Sequence, residues 1–536
     1  MSALTIILVS TVFLVLGYIF YGRIIEKLFD IDPAKKTPAY EYYDGVDYVP
    51  CKNWLVLFSH HFASIAGAGP IVGPIIAVGI WGWYPALIWI LFGTIFMGGV
   101  HDFACIIISV KHKARSIADI AETVISKRSK IVFLGFVWLA LILVIAVFAS
   151  LCSKTLTTDP STVIPSFGLI AIALLVGFML YRLKLNLFIA TAVGLFLLVL
   201  SIIFGDMFPI TVGNNAYVVW CVVLLIYAFI ASTAPVHILL QPRDYISSFL
   251  LYFGIIIGVV GIFITRPIIN TASYNGWNPA GSEWLWPMLF VTVACGANSG
   301  FHALVASGTT SKQLSNEKYA KRIGYGGMVL EAFLAIIALL AVTAGLSSGT
   351  LKVMLSKGGP GPISAFGKGF GVLVEPLLGS KGQMIAIMIL NAFILTTLDT
   401  ATRICRYLSE ELFKIKNRFF STFVVVFTSG ALALSGKWSS IWPIFGASNQ
   451  LVAALTFIVI SSWLLCRGKA IRYTIVPAVL MLITSLGALI YKLIGFIKSK
   501  NILLSAIGVA LIIMSIMMLF DVISVVRKRK LTCPKL

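Results

Sequence analysis

The sequence predicts an all-α integral membrane protein of about fifteen transmembrane helices, with a five-plus-five inverted-repeat core containing broken helices and further helices at its periphery. Three observations predict it. Of 536 residues, 59% are hydrophobic and only 11% are charged, against about 25% charged in soluble domains. Apolar runs of the roughly 20 residues that a helix needs to cross a bilayer recur along nearly the whole chain. Several of those runs are interrupted by glycine, proline and polar residues. Only helices and closed barrels satisfy every backbone group in lipid. These runs are too long, and alternate too little, for barrel strands of about 10 residues.

Spans are expected near 3–21, 54–80, 83–110, 131–151, 166–181, 186–204, 216–240, 246–265, 285–307, 324–346, 382–402, 419–436, 441–466, 473–495 and 502–526. The net charge of +21 invites a nucleic-acid reading, but its placement argues for the positive-inside rule instead. With alternate connections assigned to the cytoplasm, starting with 22–53, most of the 41 Lys and Arg fall on that side. The clusters Lys111 to Lys130, Lys312 to Arg322, Arg403 to Arg418 and Arg527 to Lys530 all do. The N-terminus is therefore expected outside and the C-terminus in the cytoplasm, as for a multi-pass protein of a bacterial inner membrane. No nucleic-acid partner is expected.

The first span lacks a basic start and a small-residue cleavage site, so it reads as a retained peripheral helix over 1–24. The eight cysteines form no CxxC pair, which argues against a disulfide framework and a thiolate zinc site. The longest polar segments, 22–53 and 347–381, are too short for a soluble domain.

The span from Trp54 carries SHHFASIAGAGPIVGP, with His60, His61, Ser64, Ala66, Gly67, Gly69, Pro70, Gly73 and Pro74. Proline removes a donor and glycine permits turns and close approach. Irregular backbone at membrane depth survives only inside protein or beside a cavity. A break there exposes N–H groups suited to an anion and carbonyls suited to a cation. The plainer alternative is a glycine-mediated helix crossing. A second interruption, IASTAPVHILLQPRDY, holds Ser232, Pro235, His237, Arg243 and Asp244. Five spans separate the starts at 54 and 216, and the two run in opposite directions, the pattern of inverted repeats. The expected division is a transport core over 53–403, with repeats at about 54–204 and 216–402, followed by C-terminal helices over 419–526. A third segment, VACGANSGFHALVASGTTSKQ, offers Asn298, Ser299, His302 and Ser307 for a cation or a substrate. Close packing and a polar helix exit explain it equally well.

Ionisable residues within spans are costly and usually face a cavity or a partner. They are His101 and Asp102, Glu331, and Asp399 with Arg403. Asp399 and Arg403 lie on one helix face at i,i+4 spacing, which fits an internal ion pair. The surrounding Thr396, Thr397 and Thr400 also suit a coupling ion, H+ or Na+. Histidine titrates near neutral pH, which suits proton coupling. The histidines lack metal-ligand spacing, so neither a metal nor any other cofactor is expected. No HExxH, GxSxG or paired-aspartate motif argues for an enzyme.

The segments DGVDYVP at 44–50, HHFASIAGAGPIVGP at 60–74, LLQPRDY at 239–245, CGANSGFHALVASGTTSKQ at 295–313, GGMVLEAFLAI at 326–336, TTLDTATR at 396–403 and IWPIFGASNQLVAAL at 441–455 resemble the carbon starvation protein A family. The resemblance implies kinship with the amino acid/polyamine/organocation transporters and hence a LeuT-like core. It also implies uptake of pyruvate or short peptides, with proton-coupled pyruvate import as the leading activity.

The expected mechanism is alternating access around breaks at 64–74 and 232–242. The substrate carboxylate is expected against N–H groups near Ala66 to Gly69, beside His60 or His61 and Asn298 or Ser299, with His302 and Ser64 in the same site. Asp399, its threonines, Glu331 and Ser307 are expected to handle the ion. Pro70, Pro74, Pro235, Arg243, Asp244, His101, Asp102 and Arg403 are expected to shape or gate the path. The partners are then a small-molecule substrate and membrane lipid. A passive channel and a membrane sensor are the rival classes.

Overall fold

The computed structural model describes residues 1–45, 47–51, 53–234, 240–281, 283–356 and 358–528. Pro235 and His237 lie outside the described residues. Within them the chain is helical throughout and forms no named strand, only two isolated bridges.

The first helix, α1 (Ala3–Leu16), is started by the Ser2 hydroxyl, which accepts the Leu4 N–H. The Asn53 side chain accepts the Leu55 N–H and starts α2 (Trp54–Ile65). A short break leads to α3 (Gly69–Trp81), bent 45° from α2. Gly82, at φ 95°, separates α3 from α4 (Trp83–Gly93), and a Cβ there would lie 2.5 Å from the Ser273 carbonyl oxygen. One π-helical turn, Thr94–Gly98, joins α4 to α5 (Gly99–Lys111). The long α6 (Lys127–Thr158) follows, then α7 (Val163–Tyr181), α8 (Leu187–Met207), α9 (Ala216–Thr233) and α10 (Leu240–Thr265).

The expected span at 285–307 is not one helix. It is α11 (Leu285–Thr292), α12 (Ala294–Ala297) and α13 (Phe301–Val305), closed by a π-helical turn at Ala306–Thr310. Next come α14 (Ala320–Gly345), α15 (Pro362–Leu378), α16 (Gly382–Phe413), α17 (Arg418–Leu434), α18 (Trp438–Cys466), α19 (Arg472–Lys498) and α20 (Ile502–Lys528). The segment 347–381, expected as a polar connection, carries a short helix at Ser348–Leu355 and α15. The apolar face of α15 packs on α10, α14 and α16.

Among the described residues, 12 helices are long and apolar enough to cross a membrane, or 13 with the bent α2–α3 pair as one span. The other two of the fifteen expected are the segmented 285–313 and α17, at 17 residues.

The two longest single helices, α6 and α16, pack on each other at the centre. Both α6 and α16 also pack on α9 and on α17. Helix α10 lies against α2 and α16, while α18 lies against α11, α12, α13 and α6. Helices α7 and α8 form a hairpin with much of its surface outward, Phe188 being 80% exposed.

Small residues let the broken elements meet. A Cβ on Gly73 of α3 would lie 2.4 Å from the Thr292 carbonyl oxygen of α11, whereas one on Gly308 would meet nothing within 4 Å. Overpacking of this kind costs about 1–3 kcal/mol. Gly73→Ala should therefore lower the melting temperature of the detergent-solubilised protein, and Gly308→Ala should leave it nearly unchanged.

Candidate substrate and ion sites

Two breaks face each other. Helix α2 ends because Ala66 turns to φ −75°, ψ 79°, and α3 begins with Pro70 in its first turn, where the missing N–H costs nothing. Opposite, Asn298 is extended at φ −171°, ψ 127° between α12 and α13. The contact is close: a Cβ on Gly69 would lie 2.4 Å from Cys295 Cβ, and one on Gly67 2.7 Å from Thr397 Oγ1. Between the breaks lies a closed cavity of ≈ 10 Å³, lined by Gly67, Gly69, Pro70, Cys295, Ser299, Thr397 and Asn449 and walled by Phe148, Phe301 and Phe445. That is about the room one water needs. An outer groove of ≈ 690 Å³ is apolar and lined by residues such as Ile88, Phe92 and Leu289, as a lipid-facing surface would be.

Asn449 of α18 organises the second break. Its Oδ1 accepts the Phe301 N–H at 2.9 Å, its Nδ2 lies 3.0 Å from Ser299 Oγ, and its carbonyl oxygen accepts the Gly300 N–H at 3.1 Å. Its signal in the sequence was SNQ within an otherwise apolar stretch.

Of the expected substrate residues, Gly67, Gly69 and Ser299 line this cavity. The expected donors at Ala66 and Gly67 are already engaged, bonding the Phe62 and Ile65 carbonyls at 2.9 Å each. Ser64 returns its hydroxyl to the His60 carbonyl at 2.8 Å. Asn298 turns away and donates to Met481 Sδ of α19. His61 lies behind the break, its Nδ1 2.8 Å from Thr310 Oγ1 and its Nε2 without a partner among the described residues. Pro74 lies inside α3.

The remaining ionisable residues sort into two buried groups. In the first, Asp102 of α5 is held by His101 Nδ1 at 2.9 Å and by His302 Nδ1 at 2.8 Å. The other His302 nitrogen lies 3.2 Å from Glu331 Oε2 of α14, near but poorly aligned for a hydrogen bond. π-helical turns sit just before His101 and just after His302, and such turns re-aim the residues beside them. Ser307 bonds the Ala303 carbonyl in this region, far along the chain from Asp399.

In the second group, Arg243 of α10 is paired with Asp399 of α16 and lies 3.2 Å from Asp244. Tyr227 of α9, absent from the expected set, donates to Asp399 at 2.6 Å and accepts from Arg243 at 2.6 Å. His60 stands 3.7 Å from Asp244. The suggested Asp399–Arg403 pair is not formed. Arg403 instead donates to the carbonyls of Ala231, at 2.7 Å, and Ala234, where a cation complements the C-terminus of α9. Thr396 bonds the Ala392 carbonyl, Thr397 faces the cavity, and Thr400 is half-buried.

The adjacent histidines on α2 thus face different groups. His60 looks to Asp244 and His61 toward Thr310, eight residues beyond His302.

A multi-pass helical bundle with a small cavity between two helix breaks, apolar-walled but bearing the polar groups of Ser299, Thr397 and Asn449, fits the class of membrane transport proteins. Solved structures agree on the fold. That of the Eremococcus coleocola manganese transporter, in a single-residue mutant form, matches with a TM-score of 0.52 at 14% identity, covering 89% of this chain and 98% of that one. The same transporter bound to an aromatic bis-isothiourea compound gives 0.52 at 13% identity, over 92% and 100%.

The chain belongs to the carbon starvation protein CstA family, whose profile matches residues 2–358 and 347–488. The Campylobacter jejuni peptide transporter CstA is 31% identical over 94% of this chain and 82% of its own. The Escherichia coli pyruvate/proton symporter BtsT is 30% identical over 92% and 82%, and the Bacillus subtilis peptide transporter CstA 31% identical over 88% and 87%. The protein is a transporter of the membrane and not an enzyme.

Removing one partner of a buried ion pair costs about 3–5 kcal/mol, more than replacing both by apolar groups. Arg243→Met should therefore melt well below the parent protein in a detergent thermal-shift assay. The double variant Arg243→Met/Asp399→Leu should recover part of the loss.

Proposed function

We propose that this protein is a secondary active transporter that imports a small carboxylate, pyruvate first, together with a proton. It sits in the bacterial inner membrane, N-terminus outside and C-terminus in the cytoplasm. The proton is preferred to sodium because one relative is named a pyruvate/proton symporter.

The transport core is a pair of inverted repeats of five spans. The packing supports a division different from 54–204 and 216–402. Repeat one is α2–α3, α4–α5, α6, α9 and α10; repeat two is α11–α13, α14, α16, α17 and α18. Exchanging the repeats maps α6 on α9 to α16 on α17, and α6 on α17 to α16 on α9. It likewise maps α10 on α2 to α18 on α11, and α10 on α16 to α18 on α6. The α7–α8 hairpin is then an insertion, and α1, α19 and α20 are peripheral. The two broken spans open the two repeats and run in opposite directions, as in other inverted-repeat carriers.

One observation carries the substrate reading: the polar groups around the closed cavity are compact hydrogen-bonding ones, set against aromatic walls. Ser299, Thr397 and Asn449 suit a carboxylate, and Phe148, Phe301 and Phe445 suit a methyl group. At ≈ 10 Å³ the cavity must open to admit any substrate, so the helices bearing the breaks part on one side at a time. The second reading, short peptides, is favoured by relatives named peptide transporters and demands a wider opening.

In proteoliposomes with an inside-alkaline pH gradient, labelled pyruvate should accumulate, and unlabelled pyruvate should compete better than lactate, alanine or dialanine. Stronger competition by dialanine would move the assignment to peptides, and no accumulation under either a pH or a sodium gradient would sink symport. A hydrogen bond to a charged group contributes about 1.5–3 kcal/mol. Ser299→Ala should therefore raise KM about tenfold or more.

A further inference from the structure

Asp399 and Asp102 are both buried, yet their charges are balanced differently. Asp399 faces the Arg243 guanidinium across a direct ion pair. Among the described residues, no Lys or Arg nitrogen lies within 4 Å of Asp102 or Glu331, and both carboxylates are 0% exposed. Only histidines stand beside them. Two carboxylates brought into a low-dielectric interior without a fixed cation need a proton nearby, on one acid or on the histidine between them, to be stable there.

The imidazole of His302 lies between the two, with one nitrogen on each carboxylate. The other titratable groups around the trio are His101, bonded to Asp102, Cys105, 3.9 Å from the His101 ring, and His61 on α2, whose ring reaches Thr310. His302 is also three residues from Ser299, which lines the cavity. Ser299 sits in the non-helical link between α12 and α13, and His302 is the second residue of α13. On the far side of that link, a Cβ on Gly296 would lie 3.1 Å from Ala335, one turn along α14 from Glu331.

We propose that Asp102, His302 and Glu331 form the binding site of the coupled proton, and that the Cys295–His302 segment ties its occupancy to the substrate cavity. This rests on the transport reading above. In the loaded state the coupled proton sits on Glu331, as a carboxylic acid beside His302, while the His302 imidazolium pairs with the Asp102 carboxylate. In the unloaded state that proton has left Glu331, and the two carboxylates share the one imidazolium between them. Substrate drawing Ser299 toward the cavity moves the His302 ring relative to Glu331, so one ligand alters the hold on the other.

The test separates exchange from net transport. Glu331→Gln and His302→Gln should lose less of the exchange of labelled for unlabelled pyruvate at equal pH, or of dialanine if that is the cargo, than of net uptake. Accumulation driven by an imposed pH gradient should fall at least about tenfold, the size of a typical coupling between two sites. Gradient-driven accumulation equal to the parent's in both variants would overturn the proposal. A substrate-independent readout guards against misfolding and against the wrong cargo. The pH-difference infrared spectrum of the purified protein should contain a buried carboxylic-acid C=O band that Glu331→Gln removes while the melting temperature holds. A spectrum without that band overturns the proton site. A parent protein that shows the band but transports nothing on the panel overturns the cargo reading alone.

Discussion

Backbone groups have no water to bond in the hydrocarbon core, so a helix cannot break there without partners from the protein itself. That constraint arranges this molecule. The end of α2 is closed by the turn at Ala66 and Gly67, whose N–H groups return to Phe62 and Ile65. The start of α13 is closed by Asn449, which takes the N–H groups of Gly300 and Phe301 with its backbone and side-chain oxygens. The two breaks shield each other, and the glycines and cysteine between them allow that approach. Helices α6, α16 and α18 wall the remaining side through Phe148, Thr397 and Phe445. Everything polar at the centre is held by this mutual cover.

The polar residues divide by how their charge is neutralised. Around α9, α10 and α16, a guanidinium, a carboxylate and a phenol lock three helices together. Around α5, α13 and α14, the acids meet only imidazoles. The first arrangement suits a fixed support and the second a changeable one. His60 and His61, side by side on the broken helix, touch one region each.

Much of the fold was legible because bilayer helices announce themselves by length, and the first break by two prolines among glycines. The partner of that break was harder. The segment around 232–242 has the stronger punctuation, with Pro235 and Pro242, whereas CGANSG carries only small residues and one asparagine. Small residues mark ordinary close packing equally well, so nothing local distinguishes a break from a crossing. Local spacing also misled at Asp399 and Arg403. The i,i+4 rule holds when no better partner is near, but here Arg243 and Tyr227 come from 156 and 172 residues away. Pairing across that separation is set by packing, which one sequence does not reveal. His302 was expected to touch substrate, and its position in GFHALV does not disclose that its ring points to Asp102 and Glu331 instead.

The α7–α8 hairpin enters and leaves the bilayer on the same side. It is therefore topologically silent. A chain can gain or lose such a pair without reversing any helix after it, whereas a single added span would turn every later charge cluster to the opposite face. Membrane proteins of this architecture should consequently diversify in even steps, and the lipid-facing outer helices are where those steps are cheapest to take.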